Sequence, residues 1–395
     1  MPSHPTNPAV RLTDGTFYSD GPHEALLWMR ENAPVYWDEA GQVWGITLYE
    51  DVMACSKSPE TFSSAGGIRP EIGPMPHMID MDDPAHKRRR NLVNRGFTKG
   101  RVADREPRVR EICVDLIERA KKRGEFDFVF DVAAWLPLIV IGDMLGVEPE
   151  HYADLLRWSD EMVVGSGAME AAKVERASEA FVAYNGHAQR VLEDRRSRPL
   201  QPDLMSILAH AVIDGDKLTD DEILAESLLI LIGGDETTRH VITGGMYEML
   251  QRPDAWRALA ASPEKIPAAV EEMLRWVTPI QNMARTAVRD VDLRGQTLRQ
   301  GQKLLLLYPS ANRDGAIFER PFEFDVARTP NDHVAFGYGS HFCLGASLAR
   351  LELTVFFEEA LPRLAGLRLV GETPPPKRAS DFICGFEKMP VRLAG

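Results

Sequence analysis

One cysteine, Cys343, lies in a glycine-rich loop, FGYGSHFCLG, that leads into an apolar helix pattern. The glycines allow positive φ angles and a close approach of the backbone to a large flat ligand. A cysteine near a helix start faces free N–H groups and the positive end of the helix dipole, which favour thiolate over thiol. Such a thiolate suits a single bond to a soft metal. A buried structural cysteine is one alternative. A dinucleotide-binding loop is another, although Phe342 stands where its third glycine is needed.

This decamer resembles the haem-binding loop of the cytochrome P450 family. The resemblance implies haem b (iron protoporphyrin IX) as the cofactor, with Cys343 as the ligand of its iron. It also implies that Phe336 shields the sulfur and that His341 reaches a haem propionate. Gly337 and Gly345 are then the glycines that let the loop lie against the cofactor.

A second group of candidate site residues, which are basic, lies in the segment DDPAHKRRR, residues 82–90. His86 and Arg90 are four residues apart, so they share one face of a helix. A solvated basic helix is the alternative, but the P450 resemblance implies that both residues bind haem propionates. The remaining basic residues are expected to be solvated and to attract an acidic electron carrier: Lys87, Arg88 and Arg89.

A long buried helix is predicted from Thr219 to Leu250. Thr219 and Glu222 form a capping box, and about 30 residues follow, which corresponds to roughly 45 Å of helix. The run LLILI, residues 228–232, is apolar on every face and indicates burial all round.

The sequence GGDET, residues 233–237, interrupts this apolar helix. Glycines and acids inside a buried helix are costly, so a function is expected here. The motif resembles the P450 pattern (A/G)-G-x-(D/E)-T. The resemblance implies that Gly233 and Gly234 leave room for O₂ and substrate, and that Glu236 and Thr237 relay protons. Asp235 occupies the variable position and receives no catalytic role; a kinked helix with solvated acids is the alternative.

The sequence also contains a candidate scaffold for the cysteine loop. Glu272 and Arg275 are three residues apart on one helix face. The resemblance implies that Arg328 joins them in a buried structural cluster, and that Arg285 is a third propionate ligand.

The loop at residues 62–79 is long and unusually apolar, and long loops inside a fold are often functional. It is expected to form part of a substrate pocket, although a surface loop held by its apolar residues is the alternative. The predicted pocket residues are apolar or soft: Ile68, Ile72, Met75, Met78, Ile280, Met283, Ile383 and Phe386.

Several stretches, including LLILIGGDETTRH and HFCLGASLARLEL, resemble the actinobacterial hydroxylases of sterol side chains. This resemblance implies oxidation of a terminal methyl group of cholesterol or cholest-4-en-3-one. The reaction would use O₂ and electrons from a ferredoxin and its reductase. Fatty acids, terpenes and natural-product intermediates remain alternative substrates, and a haem-based lipid or gas sensor without turnover is the alternative of another class.

Composition excludes several other functions. The net charge of −13 argues against nucleic acid as a partner. The four cysteines form no CxxC pair, so neither a disulfide framework nor a zinc site is indicated. The sequence shows neither an apolar run of about 18 residues nor a signal peptide. We therefore expect a cytoplasmic protein without stable membrane insertion. A monomer is expected as well, although the composition does not bear on the oligomeric state.

The expected fold is mainly α with a minor β region, a single cytochrome P450 domain over residues 1–395. The β-rich parts are expected at about 34–48 and 280–308, with helices in the remainder. The haem would lie between the long central helix and the helix that follows Cys343. Residues 163–169 are expected to form a lid over the substrate channel.

Overall fold

The chain folds mainly into α-helices in the computed structural model, which describes residues 5–165, 171–213, 215–371 and 373–393. Residues 166–169 of the expected lid therefore lie outside the described residues. In chain order the α-helices are α1 (Gly15–Ser19), α2 (His23–Asn32), α3 (Tyr49–Lys57), α4 (Ala85–Val93), α5 (Lys99–Ala103), α6 (Glu106–Lys121), α7 (Trp135–Leu145), α8 (Tyr152–Gly165), α9 (Ala171–Ser197), α10 (Leu204–Ala209), α11 (Asp220–Gln251), α12 (Pro253–Ala261), α13 (Ile266–Val277), α14 (Tyr308–Ala311) and α15 (Ala346–Arg363).

The strands form two main sheets, ordered β1-β2-β10-β7-β3 and β11-β12-β4, and two two-stranded pairs, β5-β6 and β8-β9. Their bounds are β1 (Val35–Asp38), β2 (Val43–Ile46), β3 (Phe62–Ser63), β4 (Glu125–Asp127), β5 (Val212–Ile213), β6 (Asp216–Lys217), β7 (Asn282–Ala287), β8 (Val291–Leu293), β9 (Gln296–Leu298), β10 (Lys303–Leu307), β11 (Leu367–Leu369) and β12 (Pro390–Leu393).

The sheet β11-β12-β4 corrects the expectation that strands are confined to residues 34–48 and 280–308. Its strands are only three or four residues long, and β4 buries Phe126 alone. A strand this short is too brief to show a two-residue alternation in the sequence. The five-stranded sheet takes most of its residues from the expected segments.

Helix α11 begins as the sequence predicts. The Thr219 side chain accepts a hydrogen bond from the Glu222 N–H, and the Glu222 carboxylate accepts one from the Thr219 N–H, which confirms the capping box. The helix has 32 residues and so spans about 48 Å. It packs against α7, α13 and α15. No helix within the described residues is long and apolar enough to cross a membrane.

The sheet positions two predicted site residues. Strand β10 pairs with β2 on one side and with β7 on the other, and its four leucines are buried. The antiparallel register sets Met283 opposite Leu306 and Arg285 opposite Leu304. Residues two apart on a strand share a face, so Met283 and Arg285 point to the same side of β7.

A buried ion cluster connects α13 to the chain that leads into the cysteine loop. Glu272 is fully buried and accepts two hydrogen bonds of 2.7 Å from Arg275 and one of 3.0 Å from Arg328. The N–H of Asp325 and the amide of Asn331 donate to the same carboxylate, at 2.9 and 3.2 Å. The segment 325–331 is thereby tied to α13.

Replacing Glu272 by glutamine should destabilise the protein strongly. The substitution leaves the two buried guanidinium groups without their counter-ion, and breaking a buried pair in this way costs about 3–5 kcal/mol. We expect that loss in urea unfolding followed by circular dichroism. The control is Glu264→Gln at an exposed position, which should change the free energy of unfolding by less than about 0.5 kcal/mol. A Glu272→Gln protein as stable as this control would contradict the structural role.

Candidate active site

A large cavity brings together residues from α4, α11, β7, the cysteine loop and α15. Its empty volume is about 1480 Å³, open solvent included. Most of the predicted site residues line it, and each of the following contributes to its wall: Ile68, Met78, His86, Arg90, Gly233, Gly234, Thr237, Ile280, Met283, Arg285, Phe336, Gly337, His341, Cys343 and Gly345.

The cysteine loop is closed by its own backbone. The N–H of Cys343 donates to the carbonyl of Phe336 at 2.9 Å. Gly337 and Gly339 have φ angles of 66° and 77°, the region that favours glycine. A Cβ on Gly339 would also lie 2.5 Å from the Ser56 carbonyl oxygen. The loop therefore needs glycine at these positions to hold the sulfur at the cavity.

The thiol of Cys343 is half-buried in the cavity wall, two residues before the cap of α15. Burial raises the pKa of this thiol, and the N–H groups of Gly345 and Ala346 and the guanidinium of Arg90 oppose that rise. The sequence pattern indicates the N–H donors but does not reveal the burial that opposes them. Because a ligating thiol must lose its proton, the charge of a bound metal has to supply the remaining stabilisation.

Basic groups converge on one side of the same cavity. The rings of His86 and His341 lie 4.1 Å apart between centroids. Arg285 is 4% exposed and donates to the carbonyl of Ala284 at 2.8 Å. Among the described residues, neither Arg285 nor Arg90 has a carboxylate within 4 Å. Burial and then the charge of Arg285 lower the pKa of His341 to about 3.

This arrangement fits a haem. Buried cations without counter-ions are costly, and the Nε2 atom of His86 has no partner among the described residues. A ligand with two carboxylates and a thiolate-binding metal satisfies both the basic groups and Cys343. His86, Arg90, Arg285 and His341 would hold its propionates.

The glycine pair on α11 has two different surroundings. A Cβ on Gly233 would meet nothing within 4 Å, so this position opens onto the cavity. A Cβ on Gly234 would lie 2.8 Å from the Ile141 side chain on α7. Gly233 therefore provides space in the cavity, whereas Gly234 also allows α7 to pack closely.

The acid and the alcohol of the same motif are separated. Thr237 lines the cavity, and its hydroxyl donates to the Gly233 carbonyl at 2.9 Å. Glu236 is fully buried outside the cavity wall, bonded to Arg239 and, at 3.1 Å, to Arg378. Burial opposes its ionisation, yet Arg239, His240 and Arg378 hold the pKa of Glu236 well below its usual range.

Four predicted pocket residues do not line the cavity. Ile72 is 42% exposed, and Met75 packs against the edge of the main core. Ile383 is buried in a bridge with Ile280. Phe386 packs in the helical core, 5.1 Å from the Tyr247 ring.

The expected solvation of Arg89 is also wrong. Its side chain is buried and pairs with Glu222 and Glu226 of α11. Lys87 and Arg88 are exposed, as expected. Helical periodicity alone could not reveal the difference, because the partners of Arg89 lie more than 130 residues away.

Sequence reasoning missed apolar wall residues on α11. Leu229 and Val241 line the cavity together with Gly233 and Thr237. These four residues are spaced four apart, which places them on one helix face. Extending that spacing from the GGDET motif in both directions would have identified them.

Comparisons with known proteins agree with this geometry. The family model described as "Cytochrome P450" matches residues 171–262 and 265–384. A protein named steroid C26-monooxygenase, from Mycolicibacterium smegmatis, is 48% identical over 98% of this chain and 96% of its own. One of the same name from Mycobacterium tuberculosis is 48% identical, over 97% of each chain. The structure of CYP109E1 from Bacillus megaterium in complex with testosterone has a TM-score of 0.87 and 32% identity, and the match covers 95% of this chain and 98% of that one.

Replacing Arg285 by leucine should weaken haem retention. It removes a buried cation from the propionate side, and a hydrogen bond to a charged group is worth about 1.5–3 kcal/mol. We expect haem transfer to apomyoglobin to become about tenfold faster or more. Arg289→Leu, at an exposed position four residues further on, is the control and should transfer haem at the wild-type rate. Equal rates for the two variants would remove Arg285 from the propionate site.

Proposed function

The chain belongs to the cytochrome P450 family, and on that premise we propose that it hydroxylates the terminal methyl group of a steroid side chain. Cholesterol and cholest-4-en-3-one are the proposed substrates. The observation that carries the proposal is one cavity that has the Cys343 sulfur and the basic groups in its wall and is otherwise mainly apolar. The name of the two mycobacterial relatives, steroid C26-monooxygenase, supports the same substrate class.

We propose haem b as the form of the haem cofactor, with Cys343 as its iron ligand. Thiolate-ligated haem supplies the activation of O₂ that oxidation of an unactivated C–H bond requires. The protein's own contribution is to hold the propionates, to exclude water and to position the substrate. The apolar wall serves the last two purposes, because it buries a hydrocarbon and leaves few groups that can hold water.

Thr237 and Glu236 are proposed to deliver protons. The Thr237 hydroxyl lies in the cavity wall and can exchange its bond with the Gly233 carbonyl for one with a molecule bound in the cavity, to which it would donate a proton. Glu236, the preceding residue, is held outside the cavity wall by Arg239 and Arg378. Because these cations keep Glu236 ionised, its carboxylate has to release at least one of them and take up a proton before it can pass one to Thr237.

A ferredoxin with its reductase is the proposed electron source, for a monomer located in the cytoplasm. The cysteine loop reaches the protein surface at Phe342, which is 40% exposed. The carbonyl of Phe342 accepts a hydrogen bond from Arg90. Exposed Lys87 and Arg88 lie on the same helix as Arg90. An acidic carrier would be attracted to these charges close to the iron.

Cholest-4-en-3-one should shift the ferric protein from low spin to high spin, because an apolar ligand that fills the cavity would exclude water from it. The measurement is an absorption titration, followed by mass spectrometry of the product after turnover. We expect a single added oxygen on a terminal side-chain methyl. A spin shift with palmitic acid and none with cholest-4-en-3-one would contradict the steroid assignment.

Thr237→Ala should uncouple O₂ consumption from hydroxylation. A positioned proton-transfer group contributes about 10²–10⁴-fold, so the product formed per O₂ consumed should fall about tenfold or more. The control is Thr243→Ala on the same helix, whose hydroxyl also donates to a helix carbonyl but lies outside the cavity wall. Unchanged coupling in Thr237→Ala would remove this hydroxyl from the relay.

A further inference from the structure

The loop that forms part of the cavity wall is held by buried carboxylates. Asp80 accepts hydrogen bonds from the N–H of Ile68 and from the N–H of Met75, both at 2.9 Å. Ile68 lines the cavity, as does Met78 in the turn that Asp80 completes. The shape of this wall therefore depends on polar contacts behind it.

A carboxylate from a different element holds Met78. Glu226 on α11 is fully buried, and its Oε1 atom accepts a hydrogen bond of 2.7 Å from the Met78 N–H. Its Oε2 atom has no partner among the described residues. Leu229, three residues further along the helix, lines the cavity. The same stretch of α11 thus supplies part of the wall and the support for the facing loop.

Arg89 connects this contact to a third element. Its Nη1 lies 3.3 Å from the Glu226 carboxylate, and its Nη2 bonds Glu222 one turn earlier on α11. Arg89 belongs to α4, which also carries His86 and Arg90 in the cavity wall. Glu226 therefore lies where three wall-forming segments meet.

We propose that Glu226 is a positioning residue for the substrate. By accepting the Met78 N–H, it fixes the Met78 side chain in the cavity wall and so sets the width of the channel available to the sterol. The inference rests on the proposed function only for the identity of the sterol. Glu226 itself lies outside the lining and acts through Met78.

For the bond to Met78, a carboxyl oxygen of Glu226 that can accept a hydrogen bond matters more than the negative charge of this side chain. Burial raises the pKa of Glu226 to about 7, although Arg89 opposes that rise. The neutral acid keeps a carbonyl oxygen that can accept from Met78, and so does a glutamine. Glutamine is therefore the conservative replacement, whereas leucine removes the acceptor and leaves a buried N–H unpaired.

The test compares two iron ligands that differ in size, bound to the haem-loaded protein. Clotrimazole should contact the cavity wall, whereas imidazole binds the iron without reaching it. In Glu226→Leu we expect the Kd of clotrimazole to rise about tenfold and that of imidazole to change less than about twofold. In Glu226→Gln both should stay within about threefold of wild type. Glu222→Gln is the control, since it alters a partner of Arg89 but keeps the capping box.

A double variant shows whether Glu226 acts through Met78. In a Met78→Ala background, adding Glu226→Leu should raise the Kd of clotrimazole less than about twofold. An undiminished tenfold rise in that background would overturn the proposal, as would wild-type clotrimazole binding in Glu226→Leu. An equal loss in Glu226→Gln and Glu226→Leu would also overturn it.

A replacement variant and a substrate titration distinguish the role of Glu226 from a loss of haem and from a failure of the proposed function. If Glu226→Leu does not retain haem, Glu226→Met takes its place, because it keeps the length of the side chain without the acceptor. If the wild-type protein shows no spin shift with cholest-4-en-3-one, the proposed substrate is wrong. The azole comparison still decides the role of Glu226 in that case.

Discussion

The Glu272 carboxylate holds the segment from which the cysteine loop extends. It neutralises Arg275 and Arg328, and these two guanidinium groups donate to backbone carbonyls of residues 312–323. That stretch forms turns and no sheet, so the guanidinium groups bond carbonyls that a sheet or helix would otherwise pair. The amide oxygen of Asn312 then accepts the N–H of Val334, two residues before Phe336. The position of the sulfur depends on this chain of contacts.

The basic side of the cavity couples the proposed binding of haem to the stability of the fold. His86, Arg90, Arg285 and His341 bring their basic groups to a cavity where no carboxylate of the described residues lies within 4 Å of Arg90 or Arg285. A ligand that supplies two carboxylates to such a site binds the folded state alone, so its binding energy adds to the stability of the protein. In the proposed haem site, cofactor binding and folding are therefore coupled through these residues as well as through Cys343.

The sequence allowed prediction of residues whose chemistry is unusual for their surroundings. Cys343, Thr237 and Arg285 could be located because glycines or polar groups interrupt apolar patterns and match family motifs. Ile383 and Phe386 were predicted as pocket residues but do not line the cavity. The sequence could not show this, since an apolar side chain looks the same in sequence whether it faces a cavity or the core. The short strands of the second sheet and the burial of Arg89 depend on partners far along the chain, which local spacing does not reveal.

Buried acids explain how one apolar helix can position loops from both ends of the chain. Apolar contacts hold α11 in the core but do not by themselves fix the orientation of its partners, because the hydrophobic effect is non-directional. Glu226 adds a directional bond to Met78, near the N-terminal part of the cavity wall. Glu236 adds another to Arg378, close to the C-terminal segment. Since Thr237 lies on the same helix as both acids, the loops of the cavity wall and the hydroxyl group are positioned by one rigid element.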